Sequence, residues 1–145
     1  MLGWLFQTDD SIVPLVLRLT LAVVMIPHGA QKTLGWFGGH GFKGTMGFLM
    51  KSGIPGPLAF LAIMAEFLGP LGLAVGLLTR VAALGIGIVM LVAIFTVHRH
   101  HGFFMNWFGI QQGEGVEYHV LALGLAIALI FSGPGIWSMD ALIAR

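Results

Sequence analysis

Four apolar stretches divide the chain, and each is about long enough to cross a lipid bilayer as a helix. They run over about residues 11–34, 57–79, 81–98 and 116–132. A spanning helix needs about 17–25 apolar residues, and it must be a helix because an isolated strand cannot pair its backbone groups in lipid. The pattern predicts an all-α integral membrane protein, a four-transmembrane-helix bundle that forms one domain over residues 1–145.

The connections between these stretches are alternately long and short. Thr79 and Arg80 are almost the only link between the second and third stretches, which predicts a tight antiparallel hairpin. The first long loop holds residues 41–53, GFKGTMGFLMKSG, whose apolar positions fall at helical spacing and predict a short interfacial helix. The Gly-Pro-Gly run at residues 133–135 ends the fourth helix. With an even number of spans, both termini lie on the same side of the membrane.

Composition supports the membrane assignment and excludes several functions. Hydrophobic residues make up 57% of the chain and charged residues only 9%, whereas a soluble domain has about 25% charged residues. The net charge of +1 is too small to attract the negatively charged backbone of nucleic acid. The absence of cysteine excludes disulfides, thiolate metal sites and cysteine redox chemistry. A redox role would therefore need a bound cofactor or a partner protein.

The most informative polar residue is Glu66, near the middle of the second stretch. No other charge occurs between Lys51 and Arg80, and a carboxylate at that depth should be paired, protonated or functional. Counted from the long-loop edge, Arg18 is 11 residues and Glu66 nine residues deep, which places both at about 14–17 Å. We therefore predict an Arg18–Glu66 salt bridge that either organises a site or only fixes the register of the helices.

Further polar side chains collect at the long-loop edge of the membrane. If the first helix continues past Pro27, His28 and Lys32 lie one turn apart and face the same interior as Arg18. The third stretch ends, and the fourth begins, at the same edge. The predicted polar vestibule consists of His28, Gln31, Lys32, His98, Glu117, Tyr118 and His119.

Three chemistries are open to such a vestibule. Histidines and carboxylates can relay protons. The same groups can hydrogen-bond a quinone headgroup while nearby Met and Phe side chains hold its tail. Histidines with Glu117 are common metal ligands, but their spacing matches no established zinc signature, and we predict no metal site. No nucleotide-binding loop or heme-attachment motif is present in the sequence, and we predict no covalently bound cofactor.

Several pieces of the sequence, taken in order, resemble the DoxX family of small bacterial membrane proteins. They are LRLTLAVVMIPHGAQKTLGWFGG, GIPGP, AEFLGPLGLAVGLLTRVAAL, the exit from the third stretch at His98, and EYHVLALGLAIALIFSGPGIWSMD. The resemblance implies a four-helix membrane bundle with oxidoreductase roles, including a subunit of thiosulfate:quinone oxidoreductase, and membrane complexes that handle oxidative stress. The positions that match the family's polar residues are Arg18, His28, Lys32, Glu66, Arg80, His98, Glu117 and Asp140.

The leading prediction is a membrane oxidoreductase subunit of the bacterial inner membrane, linked to the quinone pool and acting with a partner redox protein. His28 and His98 would bind or protonate the quinone, and Lys32 would polarise one of its oxygens. The predicted catalytic residues are His28, Lys32, Glu66 and His98. The predicted substrate-binding residues are Arg18, Gln31, Glu117 and His119. The predicted structural residues are Arg80 and Asp140.

Two alternatives belong to other functional classes. One is a non-enzymatic membrane anchor or assembly subunit of a redox or stress-response complex. The other is a proton or small-solute pathway, which would require an oligomer because four short helices make a poor transporter alone. Small residues at helix-packing spacing, such as Gly72 and Gly76, suit contacts within the bundle or between the protomers of a homo-oligomer.

Overall fold

A computed structural model of the chain describes residues 3–144, and every regular element in that range is helical. The α-helices are α1 (Gly3–Phe6), α2 (Val13–Leu34), α3 (Gly41–Lys51), α4 (Gly56–Val75), α5 (Thr79–Thr96), α6 (Glu117–Ser132) and α7 (Met139–Ile143). Short 3₁₀ turns occupy Trp36–Gly38 and His98–His101.

Three of the helices, α2, α4 and α5, are long and apolar enough to cross a membrane, and α6 is apolar but shorter, with 16 residues. The prediction of an all-helical membrane protein is therefore confirmed for residues 3–144. A short helix, α3, lies in the first long loop, where one was predicted.

Helix α2 continues through Pro27 and ends only at Gly35, which takes the left-handed conformation with φ of 75°. Such a C-terminal cap favours glycine because a side chain would be strained there. Pro14 fits the first turn of the same helix, where a missing N–H leaves no hydrogen bond unmade. The extension past Pro27 keeps His28 and Lys32 on one regular helix.

The long helices form a ring in the order α2, α4, α5, α6, and each packs against the next. The seam that closes the ring, between α2 and α6, has the sparsest packing of the four. We call the end of the bundle with residues 35–55 and 97–116 the loop end, and the end with α1 and α7 the terminal end. The buried apolar core consists of Leu21, Ala22, Met25, Leu73, Ala83, Ile86, Met90, Ala122, Ala126 and Leu129.

Close backbone contact between α2 and α4 sets their relative register. A Cβ atom on Gly29 would overlap the backbone carbonyl of Glu66 and lie 2.9 Å from the Cα of Phe67. Gly29 therefore lies opposite Glu66, whereas the depth count from the sequence placed it opposite Pro57. The difference is nine residues, or about 14 Å along the helix.

We expect Gly29→Ala to lower the free energy of unfolding by about 1–3 kcal/mol, because the added methyl group forces the two helices apart. Thermal unfolding in detergent, followed by circular dichroism, measures the change. Gly124→Ala is the matched control, since a Cβ there meets no atom within 4 Å. If the two variants were equally stable, the close contact would not exist in solution.

Candidate functional site

An ion pair between Lys32 and Glu66 joins α2 to α4. The Lys32 Nζ lies 2.5 Å from Oε1 and 2.6 Å from Oε2 of Glu66. The Glu66 side chain is 4% exposed and that of Lys32 is 38% exposed. Glu66 lies ten residues after the first residue of the 20-residue α4, about 15 Å along its axis. The lysine therefore brings a positive charge to a carboxylate held near the middle of a membrane-spanning helix.

The predicted Arg18–Glu66 salt bridge is wrong. Glu66 bonds Lys32, and Arg18 lies at the terminal end, where its partners are backbone carbonyls. The physical reason is the register that Gly29 sets, because it moves Glu66 away from Arg18 and toward the C-terminal turn of α2.

Aromatic and imidazole rings continue from the ion pair across the seam between α2 and α6. The ring centroids of His28 and Tyr118 lie 5.4 Å apart, and the Tyr118 hydroxyl donates to the Met25 sulfur at 3.0 Å. His119 follows, with its ring centroid 5.3 Å from Tyr118 and 3.9 Å from His98. We call six of these residues the polar cluster: His28, Lys32, Glu66, His98, Tyr118 and His119.

Burial differs within the polar cluster. His119 is only 6% exposed, and its Nδ1 has no hydrogen-bond partner among residues 3–144. His28, Tyr118 and His98 are half-buried. The His98 Nδ1 lies 2.8 Å from the backbone carbonyl of Glu114 and donates to it, because a carbonyl oxygen can only accept. Within residues 3–144 the fold therefore leaves at least one buried ring nitrogen of the cluster, His119 Nδ1, unpaired.

Two residues predicted to bind substrate instead bond to loop backbone. The Gln31 side-chain amide donates to the carbonyl of Phe37 at 3.3 Å, next to the turn that follows α2. The Glu117 carboxylate accepts the backbone N–H of Met105 at 3.1 Å. These bonds shape the loop end around the polar cluster, and we do not include either residue in it.

Comparison with known proteins identifies the family. The DoxX family model matches residues 13–99, which is more than half of the chain. The chain belongs to the DoxX family. A curated relative, the Inner membrane protein YqjF of Escherichia coli (strain K12), is 30% identical over 136 residues, which cover 90% of this chain and 92% of that protein. No solved structure matches the chain.

DoxX membership confirms the resemblance seen in the sequence and fits the apolar helices. With its relative in the inner membrane, the chain is a multi-pass inner-membrane protein in contact with the lipid bilayer. The matched range includes Lys32, Glu66, His28 and His98, while Tyr118 and His119 lie beyond it. The contacts of Tyr118 and His119 within the polar cluster therefore come from the structure and from the vestibule predicted from the sequence, and lie outside the family match.

Arg18 acts at the terminal end, where all five of its N–H donors reach backbone carbonyls. It is 1% exposed. Two acceptors belong to the last turn of α4 and three to the segment before α7. They are Leu73 at 2.9 Å, Ala74 at 2.8 Å, Pro134 at 3.0 Å, Ile136 at 3.3 Å and Trp137 at 2.6 Å. Since no donor is left for a substrate, we propose a structural role for Arg18 in place of the predicted substrate-binding one.

Asp140 ties α7 to the start of α5. Its two carboxylate oxygens accept the backbone N–H groups of Leu78 at 2.7 Å and Thr79 at 2.9 Å. A carboxylate at this position satisfies unpaired helix donors and complements the positive end of the helix dipole. It also fixes Leu78 in the left-handed conformation, with φ of 49°, which a leucine adopts only under constraint.

Arg80 ties α5 to the end of α6 and to the N-terminal segment. Its guanidinium donates to the backbone carbonyls of Ile130 at 3.0 Å and Gln7 at 2.6 Å. It also lies over the ring of Trp4, 4.9 Å from the centroid. Like Arg18, Arg80 bonds the backbone, and these contacts stabilise the terminal end.

Two open surface cavities, of about 270 and 290 Å³, also lie at the terminal end. The first is lined by Val75, Trp137 and Leu142, among others, and the second includes Trp4 and Arg80 in its lining. Neither is lined by a residue of the polar cluster.

Proposed function

We propose that this DoxX protein is a membrane subunit of a quinone-linked oxidoreductase, and that its polar cluster binds a quinone headgroup. The observation that carries the proposal is the Lys32–Glu66 pair. An ion pair deep in a membrane protein is costly, and such groups are typically functional. The resemblance of the sequence to redox subunits of the DoxX family supports the same conclusion.

Lys32 is suited to hold a carbonyl oxygen of the headgroup. An ammonium group has three donors, and two of them point to the Glu66 oxygens. The third has no partner among residues 3–144, and the side chain is 38% exposed. A positive charge and a free donor beside a quinone oxygen stabilise the negative charge that develops there on reduction.

His28 is suited to supply protons to the headgroup. Reduction of a quinone to its quinol consumes two electrons and two protons. The electrons would come from the partner redox protein, since the chain has no cysteine. His28 precedes Lys32 by one helical turn and lies within electrostatic range of Lys32 and Glu66. His98 and His119 connect this position toward the loop end, from which protons can be replaced.

The proposal includes a membrane arrangement for the rest of the chain. Helix α6 serves as the fourth span, because its 16 residues extend about 24 Å and local thinning of the bilayer accommodates a short span. Helix α3 then lies on the membrane surface at the loop end. Both chain termini lie on the opposite side of the membrane.

Saturable binding of decylubiquinone to the purified protein in lipid nanodiscs tests the proposal. We expect His28→Ala and Glu66→Gln each to weaken binding by about tenfold or more, since each removes a group from the headgroup site. His100→Ala is the control, because His100 is exposed and lies outside the polar cluster. If the wild-type protein did not bind quinone saturably, the proposal would fail and the anchor role would replace it.

A further inference from the structure

Resting on the proposed function, we infer that its substrate is a quinone with an apolar tail that reaches the polar cluster sideways from the lipid, through the seam between α2 and α6. This seam is the most sparsely packed of the four helix contacts in the ring. Its polar residues near the loop end are His28 on α2 and Tyr118 on α6, with ring centroids 5.4 Å apart. Both are half-buried, so they are accessible from outside the bundle.

Tyr118 holds the seam closed only weakly. Its hydroxyl donates to the thioether sulfur of Met25 at 3.0 Å, and such a sulfur is a weak acceptor. A quinone carbonyl is a better acceptor, so the hydroxyl can exchange one partner for the other at little cost. Tyr118 is therefore a further headgroup-binding residue. The sequence placed it in the vestibule without giving it a role.

An apolar track continues from the two seam residues toward the middle of the membrane. Leu121 follows Tyr118 by three residues on α6, and Val24 precedes His28 by four residues on α2. Each therefore lies near the same face as its polar neighbour, one turn farther from the loop end. Leu121 is 67% exposed and Val24 is 41% exposed.

The side chains on the core side of the seam are buried, unlike those on its outer side. Ala122 and Met25 flank Tyr118 and His28 on their inner side, and both are buried. A tail that follows the seam thus contacts Leu121 and Val24 while its headgroup reaches Lys32. The order from lipid to ion pair is apolar side chains, then the His28–Tyr118 pair, then Lys32 and Glu66.

The test compares decylubiquinone with its ring alone, the dimethoxy-methyl-benzoquinone without a tail, in nanodiscs of one lipid composition. The measured quantity is the affinity for decylubiquinone divided by the affinity for the ring alone. Each quinone partitions into the lipid equally for every variant, so partition cancels when the ratios of two variants are compared. We expect Leu121→Trp to lower this ratio by about tenfold, because indole fills the track that the tail occupies. Val24→Trp, on the other helix, should lower it in the same direction.

Ile88→Trp is the matched control, since Ile88 on α5 is 53% exposed and lies away from the seam. We expect it to leave the ratio within about twofold of the wild-type value. If Lys32-dependent quinone binding persisted while both seam variants kept the wild-type ratio, the lateral route would be overturned and the proposed function would stand. If the wild-type protein bound neither quinone, both would fall.

Discussion

Replacing Arg18 by alanine should lower the free energy of unfolding by about 3–5 kcal/mol, because it removes a buried network of five charge-assisted hydrogen bonds whose contributions are not additive. All five donors of this buried guanidinium reach carbonyls, two of them at the end of α4 and three in the segment before α7. Without Arg18 these carbonyls lose their donors together. Trp137, which adopts φ of 53°, also loses the bond that holds it there.

Unfolding in mixed detergent micelles, followed by circular dichroism, measures this loss. Arg18→Lys should recover only part of the stability, because an ammonium group has three donors and cannot reach both segments at once. Arg99→Ala is the control, since Arg99 is exposed and, among residues 3–144, its side chain bonds the neighbouring His100 alone. A stability of Arg18→Ala within about 0.5 kcal/mol of the wild-type value would show that the carbonyls find other partners.

Removing one partner of the Lys32–Glu66 pair should lower the free energy of unfolding more than removing both partners. Lys32→Met leaves the buried Glu66 carboxylate without its counter-charge and should cost about 3–5 kcal/mol. The double variant Lys32→Met/Glu66→Gln removes both charges and should regain most of that stability. The double-mutant cycle then gives a coupling energy of about 3 kcal/mol or more.

The same micelle unfolding measures all members of the cycle, and Lys43→Met is the control because Lys43 is exposed. If the changes in the free energy of unfolding of the two single variants simply added up to that of the double variant, there would be no ion pair inside the membrane. The double variant also separates folding from function. If it is stable but does not bind decylubiquinone, the pair serves the proposed site as well as the helix contact.

The fold was predictable from the sequence because the bilayer restricts the choice. Long apolar stretches in lipid must form helices, and the positions of Gly and Pro mark where these helices end. The predicted first stretch, residues 11–34, matches α2 (Val13–Leu34) closely for this reason. The second stretch was predicted to reach residue 79, but α4 ends at Val75 because Gly76 takes a left-handed cap there.

The partner of Glu66 was not predictable in the same way. Counting residues from a presumed membrane edge assumed that the first helix ends, near Gly29, at the depth where the second helix begins, near Pro57. Gly29 instead lies opposite Glu66, and this register places Lys32 rather than Arg18 beside the carboxylate. Depth along one helix is a local property, but register between two helices depends on which surfaces fit together.

The sequence by itself determined that this is a helical membrane protein of the DoxX family with a costly carboxylate inside an apolar helix. It also indicated which polar residues crowd the loop end. The tertiary structure decided which of them meet: Lys32 with Glu66, and His28 with Tyr118 across the seam. The physical reason is steric, because only glycine at position 29 lets α2 approach the backbone of Glu66 and so fixes the register of the two helices.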